Sequence, residues 1–313
     1  LTRDWSSDVC SSDLFDWRTD NKMSNPYKTR EGGATVTVFV PYDCQNNCPF
    51  CVNKEEYENM EGFSLEKICD SIRTMDEITP YCDFVFTGGE PFSNLDSLQV
   101  LLDQVPKTHK IYINTTFPVF ADRTGDDMIE FVEKNKDKIT CINISRHLLP
   151  YVEESPDELI ARIPTKTRVN CVLYRDYPRD QLVQYMRRFK KYNIPIQFRF
   201  DYTDTTPENL YDEEHDMILK DLKEFCRYTG LDGCRMRCGY HFDFEGLELT
   251  YHKTLPYSTI VENDGEQTYD ILYDILIKQN GDIHGDWDGK ILDVEKYRHV
   301  TFEPYDLKWL ETC

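Results

Sequence analysis

Short apolar runs alternate with longer helical patterns from residue 34 onward. Short runs rich in β-branched and aromatic side chains predict buried strands, whereas apolar residues that recur every three or four positions predict amphipathic helices. Strands are predicted at 34–40, 83–87, 110–115, 140–145, 167–173 and 195–200. Helices are predicted at 64–76, 94–104, 126–135, 156–162, 179–192 and 213–228.

This alternation of strands and helices is typical of a parallel sheet built from right-handed crossovers. The predicted fold class is therefore α/β, with a partial (β/α)6 TIM-like barrel over residues 34–229. One helix start carries its own signal: Ser155, Pro156 and Glu158 have the spacing of a capping box with proline at the first helical position.

The pattern changes after the predicted barrel. Strand-like runs at 246–250 and 270–278 are followed by Asn280-Gly281, a dipeptide that favours hairpins because both of its residues adopt positive φ in the tight turn. Residues 230–313 are therefore predicted to form a β-rich C-terminal extension packed on the barrel.

The first 33 residues are treated as a leader. The run from Arg3 to Leu14 resembles the translated sequence of a sequencing-library adapter, so residues 3–14, with Cys10, are excluded from fold reasoning. Met23 is then the expected native start.

Charge and composition narrow the partners. The chain has 36 basic and 57 acidic residues, a formal net charge of −21, which disfavours binding to nucleic acid or anionic membranes. No apolar run approaches the roughly 20 residues of a membrane span, and no secretory signal is recognisable. We expect a cytoplasmic protein whose twelve cysteines are thiols and cluster ligands rather than disulfides.

Three of these cysteines follow the first predicted strand in the stretch CQNNCPFC, as Cys44, Cys48 and Cys51. In a barrel of this kind, the loops at the carboxyl ends of the strands converge on the active site. Three thiolates on one loop can hold a four-iron cluster and leave one iron without a protein ligand. A zinc site stays open as an alternative, and it would need a fourth ligand from elsewhere.

The second predicted strand ends in Gly88-Gly89-Glu90-Pro91. Glycines allow the backbone to approach a ligand closely, and a carboxylate beside them can accept hydrogen bonds from an ammonium group. Because the two strands are consecutive, this segment and the cysteine loop are expected at the same end of the barrel. An ordinary strand-to-helix turn is the simpler interpretation of this segment taken alone.

Together, CQNNCPFC and GGEP resemble the radical S-adenosylmethionine (radical SAM) superfamily. The resemblance implies that the three cysteines bind a 4Fe-4S cluster whose remaining iron is chelated by S-adenosylmethionine (SAM). It also implies that Gly88, Gly89 and Glu90 hold the amino group of SAM and that Phe50 borders its adenine.

Weaker matches to the family lie on the later strands. Asn114 is placed by the resemblance near the methionine carboxylate of SAM, and Ser145 near the ribose or the carboxylate. Asn170 and Arg199 complete the implied pocket, although each is also an ordinary polar strand residue. Arg146 stands where many relatives have aspartate, which puts the match around Ser145 in doubt.

The implied function is enzymatic. A radical SAM enzyme cleaves SAM reductively at its 4Fe-4S cluster, and the resulting 5′-deoxyadenosyl radical abstracts hydrogen from a substrate. A peptide or protein side chain and a small nucleotide-like molecule are both open as substrates, and an electron donor such as flavodoxin or ferredoxin is implied. No catalytic side chain is assigned. The alternative is a non-catalytic iron–sulfur or metal-binding protein that keeps the barrel.

The remaining cysteines are of two kinds. Cys226, Cys234, Cys238 and Cys313 are candidates for an auxiliary cluster, which is not expected because the predicted C-terminal hairpin carries no cysteine. The others lie in helix or strand contexts and are predicted to be small core residues: Cys69, Cys82, Cys141 and Cys171.

Overall fold

The computed structural model describes most of the chain between Tyr27 and Arg298. The described residues are 27–29, 34–40, 44, 46, 48–49, 51, 62–79, 81–119, 125–150, 152, 154–174, 176–200, 212–231, 239–253, 259–263, 268–272, 274–285 and 291–298. Among these residues, no helix combines the length and the apolar character needed to cross a membrane.

The strands are, in chain order, β1 (Tyr27–Thr29), β2 (Thr35–Val40), β3 (Asp83–Gly88), β4 (Lys110–Thr115), β5 (Cys141–Ser145), β6 (Thr167–Leu173), β7 (Ile196–Phe200), β8 (Arg227–Leu231), β9 (Gly239–Phe244), β10 (Leu247–His252), β11 (Thr259–Asn263), β12 (Thr268–Leu272), β13 (Asp274–Ile277) and β14 (Ile283–His284). The helices are α1 (Leu65–Ile78), α2 (Leu95–Gln104), α3 (Gly125–Asn135), α4 (Asp157–Ile160), α5 (Arg179–Lys190) and α6 (Met217–Phe225). Short 3₁₀ turns lie at Pro91–Ser93 and Val294–Tyr297.

An 11-stranded sheet forms the centre of the fold, in the order β14-β13-β2-β3-β4-β5-β6-β7-β10-β9-β8. Every neighbouring pair from β13 across to β10 is parallel. The outer pairs, β13 with β14, β10 with β9 and β9 with β8, are antiparallel. A mixed α/β fold with a large parallel sheet is thus confirmed.

Strands near the C-terminus continue this sheet on both sides. β10 lies beside β7, and β13 lies beside β2. The division into units at 34–229 and 230–313 stays a prediction. A separate three-stranded sheet has the order β1-β12-β11.

The six predicted strands and six predicted helices are all present, with ends that differ from the prediction by a few residues. The predicted bounds of two elements are wrong. The run at 270–278 is two strands, because β12 pairs with β1 and β11 whereas β13 pairs with β2 in the large sheet. The helix predicted at 213–228 ends earlier, since residues from Arg227 onward form β8.

The hairpin predicted at Asn280-Gly281 is confirmed, because β13 and β14 pair around it. Of the two turn residues only Gly281 has positive φ, at 87°. The Gly281 amide donates to the Lys278 carbonyl oxygen at 2.9 Å, and the Lys278 amide donates to the Asp282 carbonyl oxygen at 2.9 Å. This is the longer hairpin loop, a turn followed by one left-handed glycine, rather than the two-residue turn predicted.

The two faces of the parallel sheet differ in polarity. Alternate residues such as Phe84, Phe86, Ile111 and Ile113 are fully or almost fully buried and form one core with the helices. The positions between them carry most of the polar side chains of the central strands and form what we call the polar face. Because residues paired in register point to the same side, Asn114, Asn143 and Arg168 share one row of this face. Ser145, Asn170 and Gln197 share the next row.

Candidate cofactor site

The cysteine loop and the GGEP segment leave the same edge of the sheet. β2 and β3 are parallel, with Val40 paired to Gly88 at their carboxyl ends. Gly88 has a φ of +116°, and a Cβ atom there would lie 2.9 Å from the Val40 amide nitrogen. Only glycine fits this contact. The close backbone approach predicted at Gly88 is therefore made to the neighbouring strand, directly before the cysteine loop.

The three cysteines of the predicted cluster are partly buried, and none forms a disulfide. The Cys51 amide donates to the Cys48 carbonyl oxygen at 3.1 Å, which closes a tight turn between these two ligands. Burial raises the pKa of the Cys44 thiol, a hydrogen bond to the Asn46 backbone lowers it, and negative charge at Glu90 and Cys51 raises it further.

The donor set fits a 4Fe-4S cluster with one open iron, because three thiols outside disulfides lie on one loop at the end of a strand. Within the described part of the chain, no three histidine, cysteine or acidic side chains are already arranged as a metal site. Cluster ligands must lose their protons on binding, and their final geometry forms with the cluster.

The Glu90 carboxylate ties the end of β3 to the end of β4. It is 3% exposed. One oxygen accepts from the Phe92 amide at 3.1 Å and from the Thr115 hydroxyl, and the other accepts from the Thr116 amide and hydroxyl, each at 2.8 Å. A carboxylate offers about four acceptor positions, so protein donors occupy those of Glu90. Burial raises the pKa of its carboxyl, whereas these bonds lower it.

Arg146 also contacts Thr116, and its side chain is completely buried. Its guanidinium donates to the carbonyl oxygens of Thr116 (2.9 Å), Ser145 (2.8 Å) and Ser155 (3.1 Å) and to the Ser155 hydroxyl (2.8 Å). The capping box predicted at Ser155 is therefore wrong. α4 has Pro156 as its N-cap without a side-chain bond, because the Ser155 hydroxyl accepts from the arginine instead.

A directed chain of hydrogen bonds crosses the polar face. Arg168 Nε donates to Asn143 Oδ1 at 2.6 Å, and Asn143 Nδ2 donates to Asn114 Oδ1 at 2.7 Å. A guanidinium can only donate, so Arg168 fixes the direction of the chain. The Asn114 oxygen is used within it, which leaves the Asn114 NH₂ group as its donor end.

The other residues assigned to the pocket by the resemblance lie on the same face. Ser145 is paired in register with Asn170, whose buried side-chain oxygen has no hydrogen-bond partner. Arg199 Nε donates to Gln197 Oε1 at 3.2 Å. Their contact with SAM stays a prediction. Phe50 lies outside the described residues.

The sequence did not identify the residues that hold Glu90 and Asn114 in place. Thr115 and Thr116 were visible only as polar residues at the end of a strand, and Asn143 only as an amide within an apolar run. Their partners are 25 to 29 residues away in the chain. No local pattern reports such contacts.

The core cysteines are confirmed: Cys69, Cys82, Cys141 and Cys171 are all buried. Cys226 is also buried and lies 3.6 Å from the Met186 sulfur, and burial raises the pKa of its thiol to about 12. Among the auxiliary-cluster candidates, Cys234, Cys238 and Cys313 lie outside the described residues.

His147 gives the fold a specific sensitivity to acid. Burial, and secondly the charge of Arg146, lower the pKa of His147 to about 3, and its Nδ1 accepts from the Val172 amide at 3.2 Å. The unfolded chain binds this proton near pH 6.5, so stability falls as the pH drops from about 6.5 towards 3. Between pH 7 and 4.5 this histidine should cost about 2.5 kcal/mol of the free energy of unfolding.

Urea unfolding of the wild type and His147→Gln at both pH values measures this cost. Glutamine keeps a hydrogen-bond acceptor and removes the titration, so the variant should lose less stability in acid. An identical acid loss in both proteins would contradict the assignment.

Comparison with known proteins agrees with this geometry. The family model described as a 4Fe-4S single cluster domain matches residues 31–144, which contain the three cysteines and GGEP. The tRNA-2-methylthio-N(6)-dimethylallyladenosine synthase of Fusobacterium nucleatum subsp. nucleatum is 28% identical over 134 residues, 40% of this chain and 31% of that protein. The radical SAM resemblance is confirmed. The same matches support the expected 4Fe-4S cofactor.

Solved structures of Streptococcus suis SuiB share the fold. Streptococcus suis SuiB bound to its precursor peptide SuiA aligns with a TM-score of 0.53 and 14% identity, over 90% of this chain and 65% of that chain. SuiB in a second crystal structure aligns with a TM-score of 0.51 and 14% identity, over 90% of this chain and 67% of that chain. This chain therefore spans about a third of the tRNA-modifying relative and about two thirds of SuiB.

Proposed function

We propose that this chain is a radical SAM enzyme on a partial (β/α)6 barrel formed around β2 to β7. Cys44, Cys48 and Cys51 would hold a 4Fe-4S cluster, and SAM would bind beside it at the carboxyl ends of β2 to β7. The observation that carries the proposal is the pairing of Val40 with Gly88, which brings the cysteine loop and GGEP to one edge of the sheet.

A cluster held by Cys44, Cys48 and Cys51 would supply the one-electron reduction that cleaves SAM to methionine and a 5′-deoxyadenosyl radical, and this radical would take hydrogen from the substrate. The electron comes from a donor such as flavodoxin or ferredoxin. The chain supplies three thiolates, a fixed binding surface and exclusion of water. No general base is required to begin the reaction.

The polar face offers complementary chemistry for SAM. The donor end of the Arg168–Asn143–Asn114 chain suits a carboxylate, the group that the resemblance places near Asn114. Ser145, Asn170 and Arg199 lie on the next strands of the same face. We propose that these side chains line the remainder of the SAM pocket.

Replacing Arg168 with methionine tests this assignment. Methionine cannot donate, so Asn143 and Asn114 lose their fixed orientation, and SAM affinity should fall about 3- to 10-fold, equivalent to roughly one hydrogen bond. Equilibrium binding under anaerobic conditions measures the change. Arg179→Met is the matched control, because Arg179 bonds to Asp221 and Glu224 instead. Equal SAM affinity in the wild type and Arg168→Met would remove this chain of bonds from the site.

For the substrate, we propose a peptide or protein side chain first and a small nucleotide-like molecule second. SuiB, which shares the fold, binds a precursor peptide in one of its structures. The net charge of −21 disfavours bulk nucleic acid. Adding candidate peptides to the reconstituted protein and following substrate mass by mass spectrometry distinguishes these classes.

Electron paramagnetic resonance tests the proposed cofactor site. The chain is reconstituted with iron and sulfide without oxygen, reduced with dithionite and measured before and after SAM is added. A cluster signal that changes with SAM supports coordination of SAM at the open iron. A cluster signal that SAM leaves unchanged would favour an iron–sulfur protein without SAM chemistry, and a protein that binds only zinc would contradict the proposal entirely.

A further inference from the structure

A strained turn at the end of β4 adjoins the candidate SAM site. Phe117 has a φ of +51°, a left-handed conformation that residues other than glycine rarely adopt. Its side chain is fully buried and packs edge-on against Phe92, with ring centroids 5.1 Å apart. Such a conformation persists only when the surrounding structure holds it, and it occurs preferentially at functional sites.

Two buried charges hold this turn from opposite sides. Glu90 accepts from the amide and the hydroxyl of Thr116, both at 2.8 Å. Arg146 donates to the carbonyl oxygen of the same residue at 2.9 Å. Glu90 is 3% exposed and Arg146 0%. Burying an ion is costly unless it is paired or hydrogen-bonded. Arg146 pairs with Glu154 at 3.9 Å and donates to Thr116 and Ser155, whereas Glu90 is held by backbone and hydroxyl donors, so Thr116 is the residue that both charged side chains contact.

The turn also connects three strand ends. Glu90 follows β3, Thr116 follows β4 and Arg146 follows β5. The Arg146 carbonyl oxygen accepts a hydrogen bond from the Tyr185 hydroxyl at 2.8 Å. Asn114, the donor end of the polar chain, lies on β4 two residues before Thr116. Any displacement of the turn therefore moves both Asn114 and the GGEP segment.

We propose that Arg146 is a positioning residue for SAM binding: it clamps the Thr116–Phe117 turn against Glu90 and so fixes the GGEP segment relative to Asn114. The inference rests on the proposed function. Arg146, which stands where many relatives of the family have aspartate, then acts through the backbone of Thr116 and contacts neither SAM nor the cluster.

Arg146→Met tests the proposal, with Arg146→Lys as the conservative variant. Arg188→Met is the matched control: Arg188 shares Glu154 with Arg146 but makes no bond to Thr116, so this variant changes the charge around Arg146 and keeps the bond from Arg146 to Thr116. Each full-length protein is reconstituted and kept oxidised so that SAM is not cleaved, and SAM affinity is measured by anaerobic calorimetry together with iron content. Arg146→Met should retain iron and bind SAM at least 10-fold more weakly, Arg146→Lys should recover part of the affinity, and Arg188→Met should bind as the wild type does.

A second readout needs no cofactor. Amide hydrogen exchange of the peptide around Thr116 should be faster in cluster-free Arg146→Met than in the wild type and unchanged in Arg188→Met. If Arg146→Met does not fold, Arg146→Gln replaces it; it keeps a polar side chain, removes the charge and most of the donors to Thr116 and Ser155, and should weaken SAM binding several-fold.

The outcomes separate the two claims. A folded Arg146→Met, or in its place Arg146→Gln, with full iron content and unchanged SAM affinity overturns the positioning role alone. A wild-type protein that binds a cluster but no SAM overturns the proposed function instead.

Discussion

Replacing Cys44, Cys48 or Cys51 with alanine, one at a time, is expected to abolish the iron–sulfur absorbance of the reconstituted protein. A cluster with one open iron has only three protein thiolates, so the loss of any one leaves two irons without a ligand from the chain. Iron content, sulfide content and the visible absorbance spectrum measure the effect. The remaining iron should be below about a tenth of the wild-type value, the loss expected when a ligand of a three-thiolate site is removed.

Cys69→Ala provides the matched control. Cys69 is buried on α1 and lies outside the cysteine loop. It should keep full iron content and lose only packing stability, on the order of 1 kcal/mol for a small core side chain. A loop variant that keeps a complete cluster and still cleaves SAM would refute the ligand assignment.

Replacing Glu90 is expected to have two separable effects. Glu90→Ala leaves the Thr116 amide and the Thr115 and Thr116 hydroxyls buried without their acceptor. The free energy of unfolding should fall by about 3–5 kcal/mol, because each buried donor left without an acceptor costs about 1–3 kcal/mol. Because the same bonds hold the GGEP segment against β4, SAM affinity should fall at least 10-fold while the cluster remains.

Asp221→Asn separates these effects. Asp221 is a second buried carboxylate, which accepts from Tyr177 and Arg179 away from the cysteine loop. It should lower stability and leave SAM affinity unchanged. Denaturant unfolding and anaerobic SAM binding of Glu90→Ala, Glu90→Gln and Asp221→Asn provide the comparison. Glu90 variants with wild-type SAM affinity would mean that the GGEP match has no bearing on SAM.

Local sequence patterns predicted the strands that carry the site. β4 (Lys110–Thr115) and β6 (Thr167–Leu173) begin and end where the pattern placed them, because apolar alternation and the following polar residues mark a buried strand directly. The order of consecutive parallel strands from β2 to β7 also follows from the chain, since each crossover places the next strand beside the last.

The sheet's margins could not be predicted in this way. The pairing of β13 with β2 joins residues that are more than 200 positions apart, and only tertiary packing decides it. The hairpin between β9 and β10 was missed because its turn residues, Glu245 and Gly246, have φ values of 50° and 92°. Glutamate is an unusual choice for the first of these positions.

In the candidate site too, residues in contiguous motifs could be predicted, whereas roles defined by long-range contacts could not. Cys44, Cys48, Cys51 and Gly88 were identified because they belong to contiguous motifs. The role of Glu90 within the fold was not, because four bonds to three residues of two loops define it. Arg146 was noted only as a departure from the family pattern. Its burial and its bond to the Thr116 carbonyl oxygen show that it contacts the turn after β4.

Whether the reconstituted protein cleaves SAM distinguishes a radical SAM enzyme from a non-catalytic iron–sulfur protein. Wild type and Cys44→Ala are incubated without oxygen with dithionite and SAM, and 5′-deoxyadenosine is quantified by chromatography. We expect 5′-deoxyadenosine from the wild type and none above background from Cys44→Ala. A wild-type protein that carries a complete cluster and binds SAM, yet forms no more 5′-deoxyadenosine than Cys44→Ala, would contradict this expectation and favour a non-catalytic iron–sulfur protein.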